Sequence, residues 1–225
     1  MNEMYTRKEV AATIDHAVLK PFATDEEIID NCRMCRRREV TCICVRPTDV
    51  ALAAEQLKGS DVDVAIVVGF PHGAARPEVK ALEARLGIED GAVEIDMVMN
   101  VGKFLSGQYE FVQKDIEAVV AEAKPHNVLV KVIQETCYLT PEEVVRACQI
   151  CETAGADYVK TSTGFGDGPA TPEVIEIMIK TVGQTMGVKA SGGVRSYETA
   201  VGYLKQGCKR LGVGSTEAVL DGAPE

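Results

Sequence analysis

The chain has 225 residues, 46% of them apolar, with no Trp and 5% aromatics, which suits one large α/β domain or two small ones with an aliphatic core. A formal net charge of −10 excludes the electrostatic attraction that nucleic acid or an anionic membrane demands, so an anionic substrate needs a locally positive pocket. No segment approaches the roughly 18 unbroken apolar residues of a membrane span, MNEMYTRKEV holds no apolar signal core, and eight cysteines without an export signal point to reduced thiols in the cytosol.

In chain order, short apolar runs alternate with helical patterns. ATIDHAVL precedes the helix-like EEIIDNCRMCRRRE; VTCICVRP precedes PTDVALAAEQLK; DVAIVVGF precedes RPEVKALEARLG. AVEIDMVMN leads to YEFVQKDIEAVVAEA, NVLVKVIQE to PEEVVRACQICETAG, and ADYVKTS to TPEVIEIMIKTV, before GVKASGG and KRLGVGS close the series. Thr140-Pro141-Glu142-Glu143 and Thr171-Pro172-Glu173 read as helix starts, and Gly155 as a helix end. Eight strands at intervals of roughly 25–35 residues, with no Pro/Ser linker between them, imply a closed (β/α)8 TIM barrel as a single domain over 1–225. A doubly wound open sheet is the alternative, weakened because no strand runs into a GxGxxG helix start. Cys32–Cys35 and Cys148–Cys151 have C-x-x-C spacing, but His16, His72 and His126 are scattered. Buried helix cysteines are therefore expected rather than a zinc site.

Alternation along the strands then sorts the polar residues. Asp15 alternates with Ile14 and His16; Cys42, Cys44 and Arg46 alternate with Ile43 and Val45. Glu94, Asp96, Val98 and Asn100 oppose Val93, Ile95, Met97 and Met99. Lys131 and Glu135 oppose Val128, Val130 and Val132. Lys160 and Ser162 oppose Val159, as Lys189 and Ser191 oppose Val188. The apolar face suits a helix layer. In a closed barrel the polar face is the interior, which gathers Asp15, Cys44, Asp96, Lys131, Lys160 and Lys189 near the C-terminal mouth.

A single strand lysine is usually an exposed edge residue. Three on consecutive strands, each beside valine or a small residue, need partners, because buried charge is expensive. Asp96 and Glu135 are candidate partners for Lys131. Lys160 and Lys189 remain as like charges on adjacent strands. That arrangement suits a Schiff-base nucleophile, since a neighbouring ammonium lowers the pKa of an amine. Glycine turns supply the second half of a site. Ser191-Gly192-Gly193-Val194-Arg195 follows strand seven, and Gly212-Val213-Gly214-Ser215 follows strand eight. Those positions form the usual barrel phosphate site, where backbone N–H groups approach an anion. Thr163 and the Gly164-Phe165-Gly166 turn are expected as a third wall.

IDHAVLKP, VGFPHG, EIDMVMN, VKVIQET, DYVKTSTGFG and VKASGGVR, spread from Ile14 to the RLGVGS at Arg210, together resemble the deoxyribose-phosphate aldolase family. That resemblance implies a class I aldolase on a (β/α)8 barrel, needing neither metal nor cofactor. It implies reversible conversion of 2-deoxy-D-ribose 5-phosphate to glyceraldehyde 3-phosphate and acetaldehyde, with the C3–C4 bond as the one expected to break. By resemblance Lys160 is the Schiff-base lysine and Lys189 the lysine that perturbs it. Asp96 is the acid/base carboxylate acting with a water. Asp15 and Lys131 line the pocket, and Cys44 is a pocket thiol reactive toward unsaturated aldehydes. The chain departs from the family pattern at Ala17 (usually Thr), Arg46 (usually Asn) and Gly214-Ser215 (usually Ser-Ser). A Schiff-base aldolase for another phosphorylated sugar, a sugar-phosphate isomerase and a non-catalytic sugar-phosphate sensor remain open. Assembly is open between a homodimer and a homotetramer.

Overall fold

Each apolar run forms a parallel strand: β1 (Ile14–Val18), β2 (Cys42–Val45), β3 (Asp63–Val68), β4 (Glu94–Val98), β5 (Leu129–Ile133), β6 (Tyr158–Lys160), β7 (Gly187–Ser191) and β8 (Arg210–Val213). Each strand pairs with its successor, and β8 pairs back to β1 with Asp15 opposite Gly212. That last pairing closes the sheet and rules out the open doubly wound alternative. The computed structural model describes residues 5–224. Residues 1–4 and 225, which include the start of MNEMYTRKEV and the ends of the expected 1–225 domain, lie outside the described residues.

The helices are α1 (Arg7–Ala11), α2 (Asp25–Arg38), α3 (Val50–Leu57), α4 (Pro77–Glu89), α5 (Val101–Leu105), α6 (Tyr109–Ala123), α7 (Pro141–Thr153), α8 (Pro172–Val182), α9 (Tyr197–Gln206) and α10 (Thr216–Asp221). No helix among the described residues is long and apolar enough to cross a membrane. The expected starts hold: Thr140 caps α7 in a reciprocal box with Glu143, and Thr171 caps α8 ahead of Pro172. Cys32 and Cys35 lie on α2, and Cys148 and Cys151 on α7; all four are buried. Burial pushes the Cys32 thiol up to about 11 and the Cys148 thiol up to about 12. Gln134 Nε2 lies 3.4 Å from Cys148 Sγ and 3.7 Å from Cys151 Sγ.

The alternation expected from sequence separates two environments. Ile14, Ile43, Val45, Ile66, Ile95, Met97, Val130, Val132, Val159, Val188 and Leu211 point outward into the main core beneath the helices. Inside the barrel the only separate apolar cluster among the described residues is small: Cys42, Cys44, Ala65 and Val67. Most of the remaining interior is charged or polar. The pairing register staggers neighbouring strands, so alternate strands supply each layer. Cys42, Glu94, Tyr158 and Arg210 form the lowest layer. Asp15, Ala65, Lys131 and Lys189 come next, and Cys44, Asp96, Lys160 and Gly212 lie nearer the C-terminal mouth.

A second buried charge pair lies outside the barrel. Lys80 on α4 is fully buried, and its Nζ donates to Asp115 Oδ2 on α6 (2.5 Å) and to the Val98 carbonyl at the end of β4 (2.8 Å). Gly69, at φ 63°, leaves room for this side chain: an added Cβ would lie 2.7 Å from Lys80 Cε. The pair therefore joins two helices to the strand that carries Asp96. Lys80→Met strands a buried carboxylate and should cost about 3–5 kcal/mol of stability, read as a lower midpoint in urea. Lys80→Met combined with Asp115→Leu should recover most of that loss. A single variant as stable as the parent would show that the pair carries no structural weight.

Candidate active site

The site begins with strand register. Lys160 on β6 pairs directly with Lys189 on β7, and Asp96 on β4 pairs with Lys131 on β5. All four side chains point inward and are 3% exposed or less. The like-charged lysines are not left facing each other alone. Asp96 Oδ2 accepts from both Lys160 Nζ and Lys189 Nζ at 2.7 Å, while Asp96 Oδ1 accepts from Lys131 Nζ at 2.7 Å. Lys189 also donates to Asp15 Oδ2. The expected partnership of Asp96 with Lys131 is present; that of Glu135 is not. β5 ends at Ile133, and Glu135 follows in the left-handed region at φ 50°, off the strand face. Its carboxylate instead accepts from the Thr163 N–H (3.2 Å) and the Thr163 hydroxyl.

The three lysines differ in what surrounds them. Burial works against the charge of Lys131, but Asp96, Asp15 and Glu94 outweigh it and hold Lys131 well above the usual lysine range. Burial likewise opposes the Lys189 charge, and Asp15 and Asp96 push its pKa up despite that. For Lys160 burial prevails. Asp96 pulls its pKa upward, Lys189 pushes it downward, and the net displacement is downward. Lys189 is thus a contributor to the lowering of Lys160, with desolvation the larger cause. Burial opposes ionisation of Asp96 as well, yet Lys131, Lys160 and Lys189 keep it well below the ordinary carboxylate value. Burial pushes the Cys44 thiol up to about 11, so it is protonated at neutral pH.

A cavity of about 460 Å³ opens above these residues at the C-terminal face. Asp15, Cys44, Lys160, Thr163, Gly164, Lys189, Gly192, Gly193, Arg195, Gly212, Gly214 and Ser215 line it, as the sequence led us to expect. Asp96 and Lys131 do not: both are wholly buried, beneath the lining side chains. Two lining residues escaped the sequence reading, Leu19 and Lys20, whereas Phe165 of the expected third wall is on the lining. Lys20 and Leu19 follow β1 in the LKP run, which no strand parity covers. Phe165 is half exposed and packs edge-on against Phe70, with ring centroids 5.3 Å apart. The Gly192 and Gly193 backbones adopt φ 85° and 77°, and a Cβ on Gly193 would lie 2.8 Å from Pro169 Cβ. Both glycines are needed for the turn itself, before any ligand is considered.

The departures from the family pattern acquire physical meanings. Arg46 lies past the end of β2, off the expected inward face. Its guanidinium donates to both Asp49 carboxylate oxygens (2.5 and 3.1 Å), the Lys20 carbonyl (3.0 Å) and the Ala23 carbonyl (2.9 Å). It therefore holds the β1–α2 loop in place with four of its five N–H donors. Gly214 is open, with only the Ala17 carbonyl within 4 Å of an added Cβ, at 3.9 Å. Asp15, Cys42 and Glu94 bring potential metal ligands within 4.8 Å of one another. Lys131, Lys189 and Arg210 already neutralise the two carboxylates, and burial pushes the Cys42 thiol far up. The donor set suits cations of the chain itself rather than a metal ion.

Residues 9–209 match the family profile described as DeoC/LacD family aldolase. The deoxyribose-phosphate aldolase of Thermococcus gammatolerans is 50% identical over 217 residues, covering 96% of each chain. That of Streptococcus sanguinis is 51% identical over 209 residues, covering 93% of this chain and 94% of the relative. Among solved structures, the tetrameric deoxyribose phosphate aldolase of Aeropyrum pernix superposes with a TM-score of 0.90 at 32% identity, over 96% of this chain and 91% of that one. A barrel that closes at Asp15–Gly212, buries a cluster of charged side chains inside and matches these relatives over nearly its whole length belongs to the DeoC/LacD family of aldolases.

Proposed function

We propose that this protein cleaves 2-deoxy-D-ribose 5-phosphate reversibly to D-glyceraldehyde 3-phosphate and acetaldehyde, through a Schiff base on Lys160. One observation carries the reading: of the two buried lysines that line the cavity, Lys160 and Lys189, only Lys160 has its pKa displaced downward. The neutral amine is the nucleophile, and a downward displacement enlarges its share at a given pH. The Lys160 Nζ adds to the sugar C1 aldehyde and forms a carbinolamine, which loses water to give an iminium. Counting carbons corrects the bond expected from resemblance. Acetaldehyde has two carbons, and an iminium at C1 accepts electrons only from the C2–C3 bond. Removal of the C3 hydroxyl proton therefore turns C3 into the aldehyde of glyceraldehyde 3-phosphate, and C1–C2 remains as an enamine. Protonation at C2 and addition of water release acetaldehyde and regenerate the Lys160 amine.

Asp96 supplies the proton traffic in this scheme. It contacts Lys160 Nζ at 2.7 Å and is ionised, and Lys189 beside it is a charged donor. The substrate phosphate is assigned to the far end of the cavity, among Gly192, Gly193, Gly214 and Ser215, with Arg195 and Lys20 as the cations lining it. Thr163 and Gly164 close the remaining side, pinned there by Glu135.

Incubation with acetaldehyde and borohydride should leave one ethyl group on Lys160, mapped by peptide mass, and Lys160→Ala should abolish both trapping and turnover. An unlabelled protein would favour an isomerase or a non-catalytic sensor. Asp96→Asn should slow turnover about 10²–10⁴-fold while trapping persists, because losing the carboxylate removes the group that raises the Lys160 pKa. Normal turnover in that variant would remove Asp96 from the scheme.

Gly214→Ser fits the open space and adds a hydroxyl donor at the proposed phosphate end. It should lower KM for the phosphorylated sugar by up to about tenfold, with turnover of free deoxyribose unchanged. An equal effect on both substrates would argue against phosphate binding there.

A homodimer or homotetramer is the proposed assembly. Val79, Leu82 and Leu86 form one exposed stripe on α4, each more than two-fifths exposed, at the spacing of a single helix face. The Aeropyrum pernix relative is a tetramer. A monomer by sedimentation at micromolar concentration would reject it. Eight free cysteines, seven of them buried, fit a reducing cytosolic setting.

A further inference from the structure

We propose that Arg210 and Glu94, two layers beneath Lys160, are positioning residues that fix the charge of the buried cluster and thereby hold Lys160 as its one surplus cation. The inference rests on Lys160 being the Schiff-base lysine. Neither residue lines the cavity, and both are buried, Arg210 at 8% and Glu94 at 1% exposure. Arg210 donates to Asp15 Oδ1 with one nitrogen and to Glu94 Oε1 with the other. Glu94 Oε2 lies 2.5 Å from Lys131 Nζ. Asp15 and Lys131 in turn reach the layer above through Lys189 and Asp96. One continuous ionic network therefore runs from the floor of the barrel to Lys160.

The network is unequal. Three carboxylates (Asp15, Glu94 and Asp96) meet four cations (Lys131, Lys160, Lys189 and Arg210). Lys131 lies within 4 Å of all three carboxylates, at 3.4, 2.5 and 2.7 Å. Lys189 contacts Asp15 and Asp96, and Arg210 contacts Asp15 and Glu94. Lys160 contacts Asp96 alone, and shares that oxygen with Lys189. The least partnered cation gives up its proton at least cost. With Lys160 protonated the cluster carries one excess positive charge; with the free amine it is balanced.

The titratable groups that share the barrel interior with Lys160 are Lys131 (β5) and Lys189 (β7) on the adjacent strands, and Asp96 (β4), Cys44 (β2) and Asp15 (β1) from across the barrel. Cys42 and Cys44 add no charge, since burial keeps both thiols protonated. Asp63, at the start of β3, faces Glu94 and Arg210 from the exposed N-terminal rim, where water screens it. Removing the Arg210 charge balances the protonated state and must raise the Lys160 pKa. Removing the Glu94 charge adds to the excess and must lower it. A residue that served only packing would produce neither sign.

The test is the pH dependence of acetaldehyde–borohydride trapping and of turnover on 2-deoxyribose 5-phosphate, with the trapped lysine mapped in every variant. Arg210→Met should move the acidic limb up by about one pH unit, so that below both limbs the rate falls about tenfold. The isosteric Glu94→Gln should move it down by a similar amount. Arg210→Met with Glu94→Gln restores the charge count and should bring the limb back toward that of the parent. Limbs that do not move, or single variants that move in the same direction, overturn the proposal. If Arg210→Met fails to fold, Glu94→Gln and the double variant decide by the same signs. An adduct on a different lysine overturns the Schiff-base reading and the proposal with it. An adduct on Lys160 with an unmoved limb overturns only the roles of Arg210 and Glu94.

Discussion

One carboxylate with three lysine amines at 2.7 Å is the constraint on which the interior of this barrel depends. Asp96 is fully buried, out of reach of bulk solvent. An isolated carboxylate there would lose its proton only at great cost. The lysines make its charge tolerable, and it makes theirs tolerable in turn. Three cations cannot be balanced by one anion, so Asp15 and Glu94 are required below it, and Arg210 joins those two. The barrel floor is thus an extension of the site rather than packing beneath it.

That polar interior is stable only because the apolar work is done elsewhere. The outward faces of all eight strands pack under the helices, and this outer layer forms the main core. The interior needs only enough apolar surface to fill space, and Cys42, Cys44, Ala65 and Val67 supply it. Separation of the two environments follows from period-2 alternation, which sends neighbouring residues of a strand to opposite sides. A one-residue slip in β4 would put Ile95 and Met97 inside and Asp96 into the helix layer, so the buried charges also enforce the register.

The mouth of the barrel follows different rules. There the chain leaves the strands, and parity no longer assigns a side chain to a face. Arg46 and Glu135 illustrate this. Both look like inward-facing strand residues by count, and both lie beyond a strand end. Arg46 ties down the loop after β1, and Glu135 ties down the loop after β6. Each stabilises a cavity wall without offering its charge to the cavity. Arg195 and Lys20 remain on the lining as the cations that can face an anionic ligand, despite a chain that is acidic as a whole.

By itself the sequence determined the eight βα repeats, the inward set of Asp15, Cys44, Asp96, Lys131, Lys160 and Lys189, and the glycine turns after β7 and β8. These are local properties: alternation within five residues, a cap beside a proline, a glycine where φ is positive. Only the tertiary structure decided which charges meet. Asp15 and Arg210 are 195 residues apart, and the contact between them exists because β8 closes onto β1. Alternation put Glu94 on the face of Asp96, but neither it nor Arg210 carries a local signal of burial, since a charged residue at the first position of a strand ordinarily faces water. Closure buries both at the barrel floor. It leaves Asp96 and Lys131 beneath the cavity wall and Lys160 on it, and that difference in depth, invisible to alternation, distinguishes lysines that are alike in sequence.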